Sequence, residues 1–128
     1  MSAYPGRNLI AATDLVAGRA VKFGGSGTLV YAEAGDANIV GLLATDAPAG
    51  TGATIVRLGD DAYVDLGATV AVGDVSGPLA VVGSVGKLGP WDGVTGAAVA
   101  IATQAGGDGD RRRAIAFRQF PTAGAASS

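Results

Sequence analysis

Short runs of Val, Ile, Leu, Thr and Ala fill the chain from Asn8 to Phe120, and Gly, Pro, Asp or Asn interrupts them every few positions. That rhythm is the grammar of short strands joined by turns. Residues 20–23, 28–32, 39–45, 53–58, 63–66, 69–72, 79–82, 96–102 and 113–117 are the expected strands. Two of them, Tyr63-Val64-Asp65-Leu66 and Ala114-Ile115-Ala116-Phe117-Arg118, alternate in size or polarity with period two, as strands with one covered face do. Turn chemistry fills the gaps: Gly24-Gly25-Ser26-Gly27, Gly59-Asp60-Asp61, Gly77-Pro78, Gly89-Pro90 and Gly106-Gly107-Asp108-Gly109-Asp110. A helix-like spacing occurs only over residues 11–20, and Gly18 weakens it. The expectation is an all-β chain, a compact small barrel or sandwich of short strands.

The pattern also repeats. At an offset of about 55 residues, Val16-Ala17-Gly18-Arg19-Ala20-Val21 falls against Ala71-Val72-Gly73-Asp74-Val75-Ser76, and Ile39-Val40-Gly41-Leu42-Leu43-Ala44 against Val94-Thr95-Gly96-Ala97-Ala98-Val99. Residues 55–58 and 114–117 match if the second copy carries extra residues near Asp108-Gly109-Asp110. Periodic self-similarity is the signature of tandem units. The expected organisation is an arm over 1–13, a β-rich domain over 14–120 with related modules at about 14–60 and 69–120, and a flexible tail over 121–128.

Composition limits the chemistry. The 128 residues include 22 Gly, three Phe, three Tyr and one Trp, with no Cys and no His. Without His or Cys, neither a Ser-His-Asp nor a Cys-His arrangement can form, nor a zinc site built on imidazole or thiolate. No cofactor and no metal are expected, and the chain reads as a non-enzyme. A core of small side chains gives each position less than the ~1.5–3 kcal/mol of a buried Leu, Ile or Phe, so a lone subunit is expected to be only marginally stable. A formal charge of −2 gives no general attraction to nucleic acid. No apolar stretch approaches the ~20 residues of a membrane span, and the start lacks the marks of a signal peptide, so a soluble protein of intracellular origin is expected.

Ten of the eleven carboxylates are Asp, and Asp36, Asp46, Asp60, Asp61, Asp92, Asp108 and Asp110 read as turn residues that bond their own backbone. Gly107-Asp108-Gly109-Asp110 lacks the remaining ligand positions of a calcium loop. The glycines form no phosphate-binding signature. Arg111, Arg112 and Arg113, with Arg118, are the one basic cluster, either a solvated hairpin shoulder or an anchor for an acidic partner, since Arg makes bidentate contacts that tolerate desolvation. Trp91 and Tyr4 stand beside Pro and Gly in expected loops, where an aromatic either covers the end of a barrel or anchors an interface. Tyr4, Arg7, Trp91, Arg111, Arg112, Arg113 and Arg118 are therefore the candidate interface residues.

The run Asp14-Leu15-Val16-Ala17-Gly18-Arg19-Ala20-Val21-Lys22, followed by Ile39-Val40-Gly41-Leu42-Leu43-Ala44-Thr45-Asp46-Ala47, by Gly50-Thr51-Gly52-Ala53-Thr54-Ile55-Val56-Arg57-Leu58-Gly59 and by Val70-Ala71-Val72-Gly73-Asp74-Val75, resembles the small decoration or cement proteins of tailed-phage heads. The resemblance covers 14–74 well and the later half loosely, with departures at 77–92 and at the Arg-rich hairpin. It implies a β-rich subunit made in the bacterial cytoplasm. Such a subunit binds the major capsid protein on the outside of the assembled shell and stabilises it by bridging subunits, as a homotrimer and without catalysis. The alternative is a small β-clip module that binds carbohydrate or protein, which Asp14-Leu15-Val16-Ala17-Gly18 also resembles. Val72-Gly73-Asp74-Val75 resembles half of a lipoyl or biotinyl carrier motif, but Lys87 follows Gly86 where carriers have Met or Ala.

Overall fold

The computed structural model describes residues 9–25 and 27–120. They form eight strands: β1 (Ala20–Phe23), β2 (Leu29–Tyr31), β3 (Ile39–Leu42), β4 (Asp61–Asp65), β5 (Pro78–Val81), β6 (Leu88–Pro90), β7 (Ala98–Ala102) and β8 (Arg111–Gln119), with one 3₁₀ turn at Val72–Asp74. Two antiparallel sheets result, ordered β2-β1-β3 and β4-β8-β7-β5-β6. The architecture is all-β and sandwich-like, and neither sheet closes into a barrel.

Several expected elements change on folding. Residues 11–20 form no helix; Ala11 and Leu15 make single bridges to Leu29 and Ala47 instead. The stretch 53–58 is reduced to one bridge, Ile55 to Leu43, and 69–72 to one bridge, Val70 to Gly106, before the 3₁₀ turn. Asp61, expected in a turn, opens β4. Leu88–Pro90 is a strand where Gly89-Pro90 reads as a turn. An outer strand tolerates proline because one side of its backbone has no ladder to feed, and β6 is the edge of its sheet.

The two halves share one pairing pattern. Ala20, Val21 and Lys22 pair with Leu42, Gly41 and Ile39, skipping Val40 as a bulge; Pro78, Leu79 and Ala80 pair with Ile101, Ala100 and Ala98, skipping Val99. Val21↔Tyr31 has its counterpart in Leu79↔Pro90, Leu15↔Ala47 in Val70↔Gly106, and Leu43↔Ile55 in Ala102↔Ala114. The match corrects the register read from the sequence. An offset of 55 holds for Leu15 and Val70, but the inserted turn Val72–Asp74 and one further residue between β5 and β6 then lengthen it, so that Ile39 corresponds to Ala98 and not to Val94.

Packing follows this pairing. One cluster holds Ala11, Leu15, Val21, Leu29, Leu43 and Ala47. Their counterparts Leu66, Val70, Leu79, Leu88 and Ala102 lie in a second cluster. Ala20, Ala32, Ile39 and Leu42 from the first half join that second cluster beside Val64, Val81, Val99 and Ala114, so the second core is also the joint between the halves. Backbone hydrogen bonds close the same seam: Asp65 N donates to Gly18 O (2.9 Å), Ala20 N to Gly86 O (2.8 Å), Gly86 N to Ala32 O (3.0 Å) and Ala34 N to Gly83 O (2.8 Å).

At the surface of the first half the Lys22 ammonium lies 2.7 Å from the Asp36 carboxylate. Their hydrogen bond is the main reason that Asp36 sits below its ordinary 3.8 and Lys22 above its ordinary 10.5, with desolvation opposing both shifts. The stability contributed by Asp36 is present above the ordinary carboxylate value and fades as pH falls through the depressed one. That of Lys22 is complete below its ordinary value and fades as pH rises through the raised one. In Lys22→Met, an NMR titration of the Asp36 carboxyl is expected to return its midpoint toward the ordinary value; an unmoved midpoint would show that Lys22 is not the cause.

Candidate interaction surface

The Arg-rich segment is the start of β8, where it pairs with β4: Asp65 faces Arg111, Val64 faces Arg112, Tyr63 faces Arg113 and Asp61 faces Ile115. Strand alternation puts Asp61, Tyr63 and Asp65 on the same face as Arg111 and Arg113, the face turned from the core residues Val64 and Ala114. Acidic and aromatic positions of one strand thus meet the basic positions of the other.

The arginines then divide by task. Arg111 donates from Nε to Asp65 Oδ1 (2.9 Å) and from Nη2 to Ala17 O (2.8 Å), while Arg19 Nε donates to Asp65 Oδ2 (2.9 Å). Asp65 is therefore clamped by one guanidinium from each half. Arg112 donates to Ala105 O (2.9 Å), Arg111 O (2.9 Å) and Asp110 Oδ2 (3.2 Å), holding the turn before β8. Arg118 reaches across to Val40 O (2.9 Å). Arg113 lies over the Tyr63 ring, 5.3 Å from its centroid, with Nη2 3.4 Å from the Tyr63 hydroxyl, and both residues are exposed. Arg111 is exposed too, but its charge is paired with Asp65; Arg113 instead lies on an aromatic platform, an arrangement that favours contact with anionic or carbonyl groups.

A groove of about 520 Å³ runs beside this platform. Thr54, Val56, Arg57, Asp60, Asp61 and Tyr63 line it. Leu58, 65% exposed, stands at the neighbouring apolar recess with Val40, Val99 and Phe117.

Trp91 does not join the arginines. Its backbone N–H donates to Pro78 O (3.0 Å) and its indole N–H to Thr95 O (3.0 Å), so the ring lies on its own hairpin beside Gly35 and Val82. The hairpin is held by Asp92, whose carboxylate accepts from Val94 N, Thr95 N and Thr95 Oγ1. These bonds, that from the Thr95 side chain first, hold Asp92 below the ordinary carboxylate range. Tyr4 and Arg7 lie outside the described residues, as does the tail over 121–128.

Asp36 and Asp110 act as turn acceptors, taking Glu33 N (2.8 Å) and Gly107 N (2.7 Å), whereas Asp46, which reads as a turn residue, and Asp14 reach across the fold to Ala17 N (2.8 Å) and Ala49 N (2.9 Å). Among the described residues no three potential metal ligands gather. The Asp65 clamp and the Tyr63–Arg113 platform escape a reading of single motifs. Their sequence signal is the pairing of two period-two strands, Asp61-Ala62-Tyr63-Val64-Asp65 and Arg111-Arg112-Arg113, with opposite charges in phase.

No protein-family model matches the chain, and no curated protein matches it. Among solved structures the chain is similar to the head fiber gp8.5 N base of bacteriophage phi29, with a TM-score of 0.64 and 17% sequence identity over 86% of this chain and 91% of that one. At that identity the likeness concerns the fold.

Proposed function

We propose that this chain is a structural protein of a tailed-phage virion that binds the outer surface of the assembled capsid and stabilises it by bridging capsid subunits, as a homotrimer. The observation that carries the reading is the likeness of fold, over nearly the whole of both chains, to a phage head fiber base. The motif order from Asp14 to Asp74 supports the same reading through its resemblance to head decoration proteins. Weak contacts repeated around a lattice add up to firm attachment, and binding to the native state stabilises both partners by mass action.

On this reading the exposed Arg113–Tyr63 platform and the adjoining groove face the capsid. Arg111 and Arg112 serve the fold, so changing the whole triplet would confound attachment with stability, whereas Arg113→Ser isolates attachment. Arg113→Ser is expected to leave the melting temperature near that of the unchanged protein. It is also expected to weaken binding to purified empty heads about ten-fold, or about 1.4 kcal/mol. Co-sedimentation with heads at rising salt, with the molar mass of the free protein measured in parallel, makes the test. A monomer that never sediments with heads would overturn the proposal; occupancy unchanged in Arg113→Ser would move the contact elsewhere on the surface.

A further inference from the structure

We infer that the end of the molecule formed by Ser76, Pro78 and Trp91 is built to refuse the contact that joins the two halves, so that copies of the chain cannot add to one another head to tail. The joint between the halves is heterologous: the first half offers Gly18, Ala20 and Ala32, and the second offers Asp65 and Gly86. Because the halves share one pairing pattern, the second half has its own version of the offering face. Gly18 N–Leu43 O corresponds to Ser76 N–Ala102 O, Ala20↔Leu42 to Pro78↔Ile101, and Ala32 N–Ala20 O to Trp91 N–Pro78 O.

Each of the three positions has changed in a way that blocks the contact. Gly18 admits the edge of β4 because it has no side chain; a Cβ there would lie 2.7 Å from Tyr63 O. Ser76 keeps the same positive φ, 77° against 89°, and carries the Cβ. It is the one non-glycine residue with positive φ among those described, and a conformation that disfavours a side chain usually persists where something outside local geometry holds it. Ala20 donates its N–H to Gly86 O; Pro78 has none to donate. Ala32 presents only a methyl group, and its carbonyl accepts the Gly86 N–H; Trp91 presents an indole, held by its bond to Thr95 O.

The consequence concerns assembly. Heterologous joints repeat without limit unless the rotation between units closes a ring, and a chain carrying both sides of such a joint risks growing into fibres. Ser76, Pro78 and Trp91 remove one side of the joint from the free end. Association of copies then uses other surfaces and can stop at a defined number.

The decisive experiment places the second half's residues in the first half, as Gly18→Ser, Ala20→Pro and Ala32→Trp, singly and together. If these residues refuse the contact, the halves part, and protease cleavage within residues 57–61 is expected to accelerate at least ten-fold in the triple variant. Cleavage no faster than in the unchanged protein would overturn the inference. The converse variant, Ser76→Gly with Pro78→Ala, relieves the strained position and restores the donor. Its weight-average molar mass is expected to climb with concentration while that of the unchanged protein levels off. Open-ended growth of the unchanged protein would equally overturn the inference. Neither readout involves heads, so failure here and failure of capsid binding are separable.

Discussion

Gly86→Ala is expected to destabilise the protein by about 3–5 kcal/mol and to act at the seam between the halves. Gly86 holds φ +74°, where an added side chain costs about 1–2 kcal/mol. A Cβ there would stand 2.4 Å from Ala20 O, 3.1 Å from Ala20 N and 3.2 Å from the Arg19 Cβ, so the hairpin must move away. Moving it breaks the Ala20 N–Gly86 O and Gly86 N–Ala32 O bonds, worth about 1 kcal/mol each, and more where a buried group is left without a partner. Gly27→Ala is the internal control. Gly27 has a similar φ of +83° but nothing within 4 Å of the added carbon, so only the conformational cost of about 1–2 kcal/mol applies. Urea melts of the two variants give the test. Equal losses would mean that the close approach at Ala20 is relieved at no cost and that the seam is looser than its hydrogen bonds indicate.

Asp65→Ala is expected to cost about 2–3 kcal/mol, in the range for hydrogen bonds to charged groups and for breaking a largely buried ion pair. The Asp65 side chain is 15% exposed and Arg19 21%, so removal of the carboxylate leaves a partly buried guanidinium without its anion. Arg111 is 46% exposed and regains water easily, and its loss is therefore expected to cost less than that of Asp65. A double-mutant cycle between positions 65 and 19 should show coupling of about 1 kcal/mol or more. Additive losses would show that the clamp is geometry without energy. Because Arg19 belongs to the first half and Arg111 to the second, Asp65→Ala should also raise hydrogen exchange at the amide of position 65, whose N–H donates to Gly18 O across the seam.

Much of this fold is legible in the sequence, for local reasons. β1 lies where a short run between Gly18 and Gly24 puts it, and Asp36, Asp92 and Asp110 accept backbone N–H groups in turns because a short carboxylate reaches its own chain; Asp46 accepts instead from Ala17, which only the closed chain brings beside it. β6 is not legible, because Leu88-Gly89-Pro90 has turn composition and becomes a strand only by lying at a sheet edge beside β5. Residues 53–58 show the opposite case: good strand composition that makes one bridge at Ile55. The arginine triplet reads as one basic patch, yet neighbouring positions of a strand point to opposite faces. Arg112 therefore parts from the other two and serves a turn, while Arg111 and Arg113 share a face and differ in what lies opposite, Asp65 for the one and the Tyr63 ring for the other.

The sequence by itself determined the all-β class, the turn chemistry and the small-residue core, since each depends on the conformational preferences and bulk of residues near one another in the chain. It also carried the self-similarity of the two halves, but not the register, because the 3₁₀ turn and one further residue between β5 and β6 shift the later matches and leave no compositional mark. Only the tertiary structure decided which halves of the pattern meet. Gly18 and Ser76, or Ala20 and Pro78, hold the same place in two copies of one motif; what separates them is contact with distant residues, Asp65 for Gly18 and Gly86 for Ala20, and those contacts exist only once the chain has closed upon itself.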